Sequence, residues 1–127
     1  MKYKMLHTCL RVMDLEKSLA FYKEALGFVE VKRKDNKEHK FTLVYLTDES
    51  HSYELELTYN YDPEKPYEIG NGFSHTAVAS PDLEASRQYH MDSGYEVTPL
   101  KGLPGEPPRF YFVTDPDGYK VEVIRAS

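Results

Sequence analysis

A stretch near the start of the chain recurs in its second half, and this self-similarity limits the folds open to it more than any other feature. His7-Thr8-Cys9-Leu10-Arg11-Val12-Met13-Asp14-Leu15-Glu16-Lys17-Ser18 returns as His75-Thr76-Ala77-Val78-Ala79-Ser80-Pro81-Asp82-Leu83-Glu84-Ala85-Ser86, with His, Thr, Asp, Leu, Glu and Ser at matching places. Further on, Gly27-Phe28-Val29-Glu30-Val31 corresponds to Gly94-Tyr95-Glu96-Val97, and Tyr53-Glu54-Leu55-Glu56-Leu57 to Tyr119-Lys120-Val121-Glu122-Val123. The spacing drifts by a residue between successive matches, a drift that loops absorb. The plan is one domain, 1–127, made of two copies at about 3–60 and 72–125 with a linker at 61–71.

Each copy has the same pattern. A strand opens it, Leu6–Val12 and Phe73–Ala79, both rich in apolar and β-branched residues. A helix follows, with Asp14 and Asp82 as N-caps and Glu16 and Glu84 near the positive end of the dipole. In the first helix Leu15, Leu19, Tyr22 and Leu26 form one stripe, and Gly27 suits the residue just past its end. The second helix keeps only part of the stripe, at Leu83, Arg87, His90 and Gly94. Strands then return: Val29–Arg33, Phe41–Thr47 and Tyr53–Tyr59 in the first copy, Glu96–Leu100, Phe110–Thr114 and Tyr119–Ile124 in the second. Asp115-Pro116-Asp117-Gly118 is a turn between the last two. The unit is βαβββ and the class is α+β: two tandem βαβββ repeats forming a curved mixed sheet, whose open faces would line a cup.

The repeat sets a histidine at one place in each opening strand and a glutamate at one place in each closing strand. Strand parity gives His7, Cys9 and Arg11 a common face. Glu54 and Glu56 lie opposite Leu55 and Leu57, and Glu122 lies opposite Val121 and Val123. The Leu/Val faces must pack on the helices, so both glutamates turn to the cup. Two imidazoles and two carboxylates suit a divalent ion with two octahedral positions left over, Ni²⁺, Co²⁺, Mn²⁺ or Zn²⁺ by ligand type. The segments Lys37-Glu38-His39-Lys40 and Asp48-Glu49-Ser50-His51 have no repeat partners and read as loops.

Composition narrows the partners. Net charge is −5 with no Lys/Arg block, the wrong sign for a protein that lives on nucleic-acid phosphates, so no nucleic-acid partner is expected. An anionic substrate would need a few local cations. No apolar run approaches the ~20 residues that span a bilayer, so no membrane partner is expected. The basic start of the chain has no apolar run after it and does not read as a signal peptide. The one cysteine, Cys9, fits a reducing cytoplasm, where we expect this soluble globular protein, and reads as a small hydrophobe.

With these residues in hand, the sequence resembles the glyoxalase I branch of the vicinal oxygen chelate superfamily over essentially its whole length. The resemblance is carried by Leu6-His7-Thr8 with Leu10-Arg11-Val12, Phe21-Tyr22 with Leu26-Gly27, Glu56-Leu57-Thr58-Tyr59-Asn60, Gly72-Phe73-Ser74-His75 and Asp115-Pro116-Asp117-Gly118-Tyr119-Lys120-Val121-Glu122. The Asp-Pro-Asp-Gly turn is common across the superfamily; Glu-Leu-Thr-Tyr-Asn combined with Leu-Arg-Val is far more specific.

The resemblance implies an enzyme that isomerises the hemithioacetal of methylglyoxal and glutathione to S-lactoylglutathione, a methylglyoxal detoxification. It implies that His7, Glu56, His75 and Glu122 bind the metal. Chemically, polarised substrate oxygens acidify the neighbouring C–H, a metal-stabilised ene-diolate develops, and a carboxylate moves the proton between adjacent carbons. The family pattern makes Glu122 the main base, with Glu56 serving the other substrate face. His rather than Gln as first ligand, in a short chain, goes with the bacterial Ni²⁺/Co²⁺-activated type rather than the Zn²⁺ type. For glutathione, Arg11 matches the γ-glutamyl carboxylate binder, where a bidentate fork is well suited. Asn60 matches a second polar contact. A further Arg of some relatives falls at Asn71, so that contact is missing or altered, and the glycine end falls to Lys101 or Arg109.

Two other readings use the same scaffold: a metal-dependent epimerase or thiol-transfer resistance enzyme, and a non-catalytic small-molecule-binding module. Arg11 and Glu-Leu-Thr-Tyr-Asn favour glutathione over the first, and four intact ligands argue against the second. The family pattern implies a homodimer, with the cup completed within one chain or by halves of two.

Overall fold

The computed structural model describes all residues 1–127, which divide into two compact units, Met1–Glu68 and Ile69–Ser127. Unit 1 runs β1 (His7–Arg11), α1 (Leu15–Leu26), β2 (Val29–Asn36), β3 (Phe41–Thr47) and β4 (Glu54–Asn60). Its strands form one sheet in the order β1-β4-β3-β2, with β1 parallel to β4 and the other pairs antiparallel. Unit 2 runs β5 (His75–Ser80), α2 (Leu83–Asp92), β6 (Phe110–Thr114) and β7 (Lys120–Arg125), in a sheet of order β5-β7-β6. There β5 is parallel to β7 and β6 antiparallel to it. The fold class is the expected α+β, and each unit repeats the parallel pairing of its opening strand with its closing strand.

Both helices start where the sequence sets their caps. Asp14 Oδ1 accepts the Lys17 N–H at 3.1 Å, and Asp82 Oδ1 accepts the Ala85 N–H at 3.1 Å, each satisfying one of the orphan donors of a first turn. Helix α1 ends on Gly27, whose φ of 72° is cheap for a residue without a Cβ. Its buried face is wider than the expected stripe. Ser18, Leu19, Phe21, Tyr22 and Ala25 are buried, while Leu15 and Leu26 at the two ends are half-buried. With Leu10, Val12, Val44, Leu46 and Leu57 these residues make the core of unit 1, each fully buried aliphatic side chain contributing roughly 1.5–3 kcal/mol over its exposed state. In α2 only Leu83 and His90 are buried; Arg87 instead donates from Nε to the Thr98 carbonyl at 2.8 Å. Tyr111, Val113, Tyr119, Val121 and Val123 supply the rest of that core.

One expected strand is absent. Residues 96–100 run beside β6 but touch its ladder only through isolated bridges, Val97 with Val113 and Lys101 with Phe110. Two local causes break the ladder. The Phe112 N–H is taken by the Thr98 side-chain hydroxyl at 2.8 Å, and the register slips by one residue between the Val97–Val113 and Lys101–Phe110 bridges. Unit 2 is therefore βαββ with a frayed edge, where unit 1 keeps a full fourth strand. The other strands start or stop within three residues of their expected bounds, and Phe41–Thr47 and Phe110–Thr114 coincide with them.

The turn at 115–118 is fixed by a buried carboxylate. Asp115 Oδ1 accepts the N–H groups of Asp117 at 2.9 Å and Tyr119 at 2.8 Å, and Gly118 takes a φ of 93°. This turn delivers β7 in register, and Glu122 with it. Neither helix is long and apolar enough to cross a membrane.

Candidate metal centre

In unit 1, parallel pairing sets Cys9 opposite Glu56 and His7 one pair earlier, opposite Glu54. His7, Cys9 and Glu56 share a sheet face, and His7 Nε2 reaches 3.2 Å from Glu56 Oε1. In unit 2 the same register sets Ala77 opposite Glu122 and His75 opposite Lys120, and His75 Nε2 stands 3.1 Å from Glu122 Oε1. Each histidine ring meets an aromatic ring edge-on, Tyr45 at 5.6 Å from His7 and Phe112 at 5.2 Å from His75. The histidine side chains remain about a third exposed, 39% and 31%, so both pairs open to an incoming group. No cluster of three or more His, Cys, Asp or Glu side chains suited to a metal ion gathers in either unit. Each unit therefore holds one His–Glu pair.

The two carboxylates differ in what holds them. Thr58 Oγ1 donates to Glu56 Oε2 at 2.8 Å, and the Tyr45 hydroxyl and the Cys9 thiol also bond to that carboxylate. Burial pushes the Glu56 carboxyl up, but the Thr58, Tyr45 and Cys9 bonds and the neighbouring His7 outweigh it and hold it below the ordinary glutamate value. Burial and then Glu56 itself push the Tyr45 phenol up, and burial is the main cause that raises the Cys9 thiol. The Cys9 residue as a whole keeps an exposed surface and is not packed as a small hydrophobe, while its sulfur is turned toward the sheet, 3.1 Å from Thr58 Oγ1. In unit 2, Ser74 Oγ sits 2.6 Å from His75 Nδ1.

The remaining expected residues fall on strands and loop bases. Arg11 ends β1 opposite Thr58, exposed and on the face of His7. Asn60 closes β4, its Nδ2 donating to the Tyr67 hydroxyl at 3.2 Å. Lys101 and Arg109 come together at the base of one loop, where the Arg109 N–H donates to the Lys101 carbonyl at 2.7 Å, and both side chains are exposed. A cavity of about 660 Å³ in unit 1 lies elsewhere, at the start of α1, lined among others by Arg33, Asp35, Tyr59 and Tyr61; neither His7 nor Glu56 borders it. Sequence reading missed Thr58, Tyr45 and Ser74 as neighbours of the pairs. Parity was enough to find Thr58, two residues past Glu56 on the same strand face; Tyr45 needed the β3–β4 register.

Comparison with known proteins agrees with this architecture. A family model described as "Glyoxalase/Bleomycin resistance protein/Dioxygenase superfamily" matches residues 4–123. A lactoylglutathione lyase of Neisseria meningitidis serogroup A is 42% identical over 125 residues, covering 96% of this chain and 90% of the relative. Among solved structures, a trypanothione-dependent glyoxalase I from Leishmania major superposes with a TM-score of 0.86 at 34% identity, covering 98% of this chain and 87% of that one. A glyoxalase I variant from Zea mays gives a TM-score of 0.87 at 32% identity over 98% of this chain but 45% of its own. The chain thus spans less than half the length of the maize protein.

Proposed function

Because the chain belongs to the Glyoxalase/Bleomycin resistance protein/Dioxygenase superfamily, we propose that it acts as a metal-dependent lactoylglutathione lyase, converting the methylglyoxal–glutathione hemithioacetal to S-lactoylglutathione. The similarity to lactoylglutathione lyases over nearly the whole chain supports this reading. The observation that carries it is the pair of equivalent His–Glu contacts, His7 with Glu56 and His75 with Glu122.

The residues fit a divalent ion. Two neutral imidazoles offering Nε2 and two carboxylates are borderline-hard donors of the kind that suit Ni²⁺ or Co²⁺, with Zn²⁺ next. Each Nε2 already faces a carboxylate oxygen at hydrogen-bond distance. Ser74, beside Nδ1 of His75, is the sort of partner that fixes the tautomer of a ligating histidine. We read the four side chains as the ligands of a bound ion, with Ni²⁺ as the working ion, and the protein as a homodimer. When bound, the ion supplies Lewis-acid polarisation of the substrate oxygens. Glu122 takes the proton from the carbon bearing sulfur and returns it to the neighbouring carbon, which needs reach to both. Glu56 serves as ligand and faces the opposite side of the substrate.

Arg11 receives the γ-glutamyl carboxylate of glutathione and Asn60 assists, both from the strand face that carries His7. Lys101 or Arg109, whose backbones meet at the base of their loop, receives the glycine carboxylate. With its one cysteine uncommitted to a disulfide, the chain suits a reducing cytoplasm. The test is the absorbance of the thioester product when purified protein meets methylglyoxal and glutathione. We expect a rise that chelation abolishes and Ni²⁺ restores. No rise, or one that survives complete metal removal, overturns the function.

A further inference from the structure

The His–Glu pairs are copies of one arrangement, but the residues around their carboxylates are not. In unit 1, Glu56 lies between Cys9 on β1 and Tyr45 on β3, and Thr58 follows on the same face of β4. The equivalent places around Glu122 hold Ala77 on β5, Phe112 on β6 and Ile124 on β7. The first three side chains each carry a hydrogen-bonding proton; the second three carry none.

The consequence is visible oxygen by oxygen. Glu56 Oε1 faces His7 at 3.2 Å while Oε2 accepts from Thr58 at 2.8 Å. That bond uses the hydroxyl proton of Thr58, and the Cys9 sulfur lies 3.1 Å from the same hydroxyl oxygen. The Cys9 thiol and the Tyr45 hydroxyl bond to the same carboxylate from the two neighbouring strands. Glu122 has His75 at 3.1 Å on Oε1, and its Oε2 has no side-chain donor. A carboxylate that carries a proton between adjacent carbons needs an oxygen free to reach both; one held at both oxygens can only be a ligand.

We propose that Thr58, with Tyr45 and Cys9, is a positioning clamp that fixes Glu56 as a ligand and silences it as a base, leaving proton transfer to the unclamped Glu122. This rests on the reading of the four residues as the centre of a proton-moving isomerase. The asymmetry is a property of the sequence around two equivalent glutamates, so a few side chains set which copy does the chemistry.

The clamp is removed by Thr58→Val with Tyr45→Phe, both close in volume to the originals, with circular dichroism as the check on folding. Ni²⁺ affinity, read by competition with a chromophoric chelator, should fall about tenfold or more, as for lost partners of ligating carboxylates. In a Glu122→Gln background the same pair of substitutions should raise the residual turnover at least about tenfold, because Glu56 is freed to move the proton. Conversely, Ile124→Thr sets a hydroxyl beside Glu122 and should lower kcat while Ni²⁺ affinity holds. A folded Thr58→Val/Tyr45→Phe protein with unchanged Ni²⁺ affinity and no gain in the Glu122→Gln background overturns the clamp. A wild-type protein that binds Ni²⁺ but leaves the hemithioacetal unchanged overturns the function instead; the affinity comparison still decides the clamp.

Discussion

His75 Nε2 stands 3.1 Å from Glu122 Oε1, and within unit 2 no other side chain hydrogen-bonds to that carboxylate. A carboxylate with one partner can keep its place as a ligand and still offer its second oxygen to a substrate proton. Replacing Glu122 with Gln keeps an oxygen beside His75 but removes the base. We expect kcat to fall by roughly 10²–10⁴-fold, the usual worth of general-base catalysis. Ni²⁺ affinity, measured separately by chelator competition, should change far less than kcat. A Glu122→Gln enzyme turning over at near wild-type rate would remove Glu122 from the role.

The proposed Ni²⁺ has its own experiment. The proposed ligands His7, Glu56, His75 and Glu122 give two nitrogens and two oxygens and include no thiolate. A set without thiolate loses the main feature that would favour Zn²⁺ over Ni²⁺. After stripping with chelator, Ni²⁺ and Co²⁺ should restore turnover of the hemithioacetal and Zn²⁺ should not. Recovery with Zn²⁺ alone would reverse the assignment.

Much of this molecule can be read from its sequence because the repeat tests every reading twice. Asp14 and Asp82 are legible as caps because each precedes the same Leu-Glu pair, and both accept the bond a cap should accept. The His–Glu contacts are legible as positions, since parity and repetition together single out four residues. Two things were beyond that reading. The strand expected at 96–100 depends on whether the Phe112 N–H goes to the carbonyl or to the hydroxyl of Thr98, a competition that propensity does not register. The neighbours of Glu56 and Glu122 depend on the antiparallel register of β3 on β4 and β6 on β7, which is set by turns and packing.

Arg11 lies opposite Thr58, on the face that carries His7 and exposed at the edge strand of its sheet. A guanidinium there presents a fork to a carboxylate, and lysine presents only a point charge. Arg11→Ala should raise KM for the hemithioacetal by roughly 10–100-fold, the worth of one charge-assisted hydrogen-bond pair, with kcat little changed. Arg11→Lys should recover only part of the loss. An effect confined to kcat would mean that Arg11 acts on the chemistry and not on the thiol.

The fold itself carries a titratable weak point on the alkaline side. Tyr111 is fully buried in unit 2, and its hydroxyl lies 2.7 Å from Nδ1 of the buried His90. Burial pushes the Tyr111 phenol up to about 12, against the pull of the Arg87 charge and the Ser86 hydroxyl. An exposed tyrosine in the unfolded chain loses its proton near pH 10. The folded state therefore holds the proton more tightly, so its contribution is fully present below pH 10 and is lost as pH rises from 10 to about 12. The whole loss is on the order of 3 kcal/mol for a shift of this size, enough to dominate alkaline unfolding of a chain whose total stability is about 5–15 kcal/mol. Tyr111→Phe removes both the titration and the bond to His90. Near neutral pH the variant should be about 1–2 kcal/mol less stable than wild type. Above pH 10 its denaturant midpoint should decline more gently, and the two curves should converge. Parallel curves through pH 11 would mean that another group governs the alkaline limb.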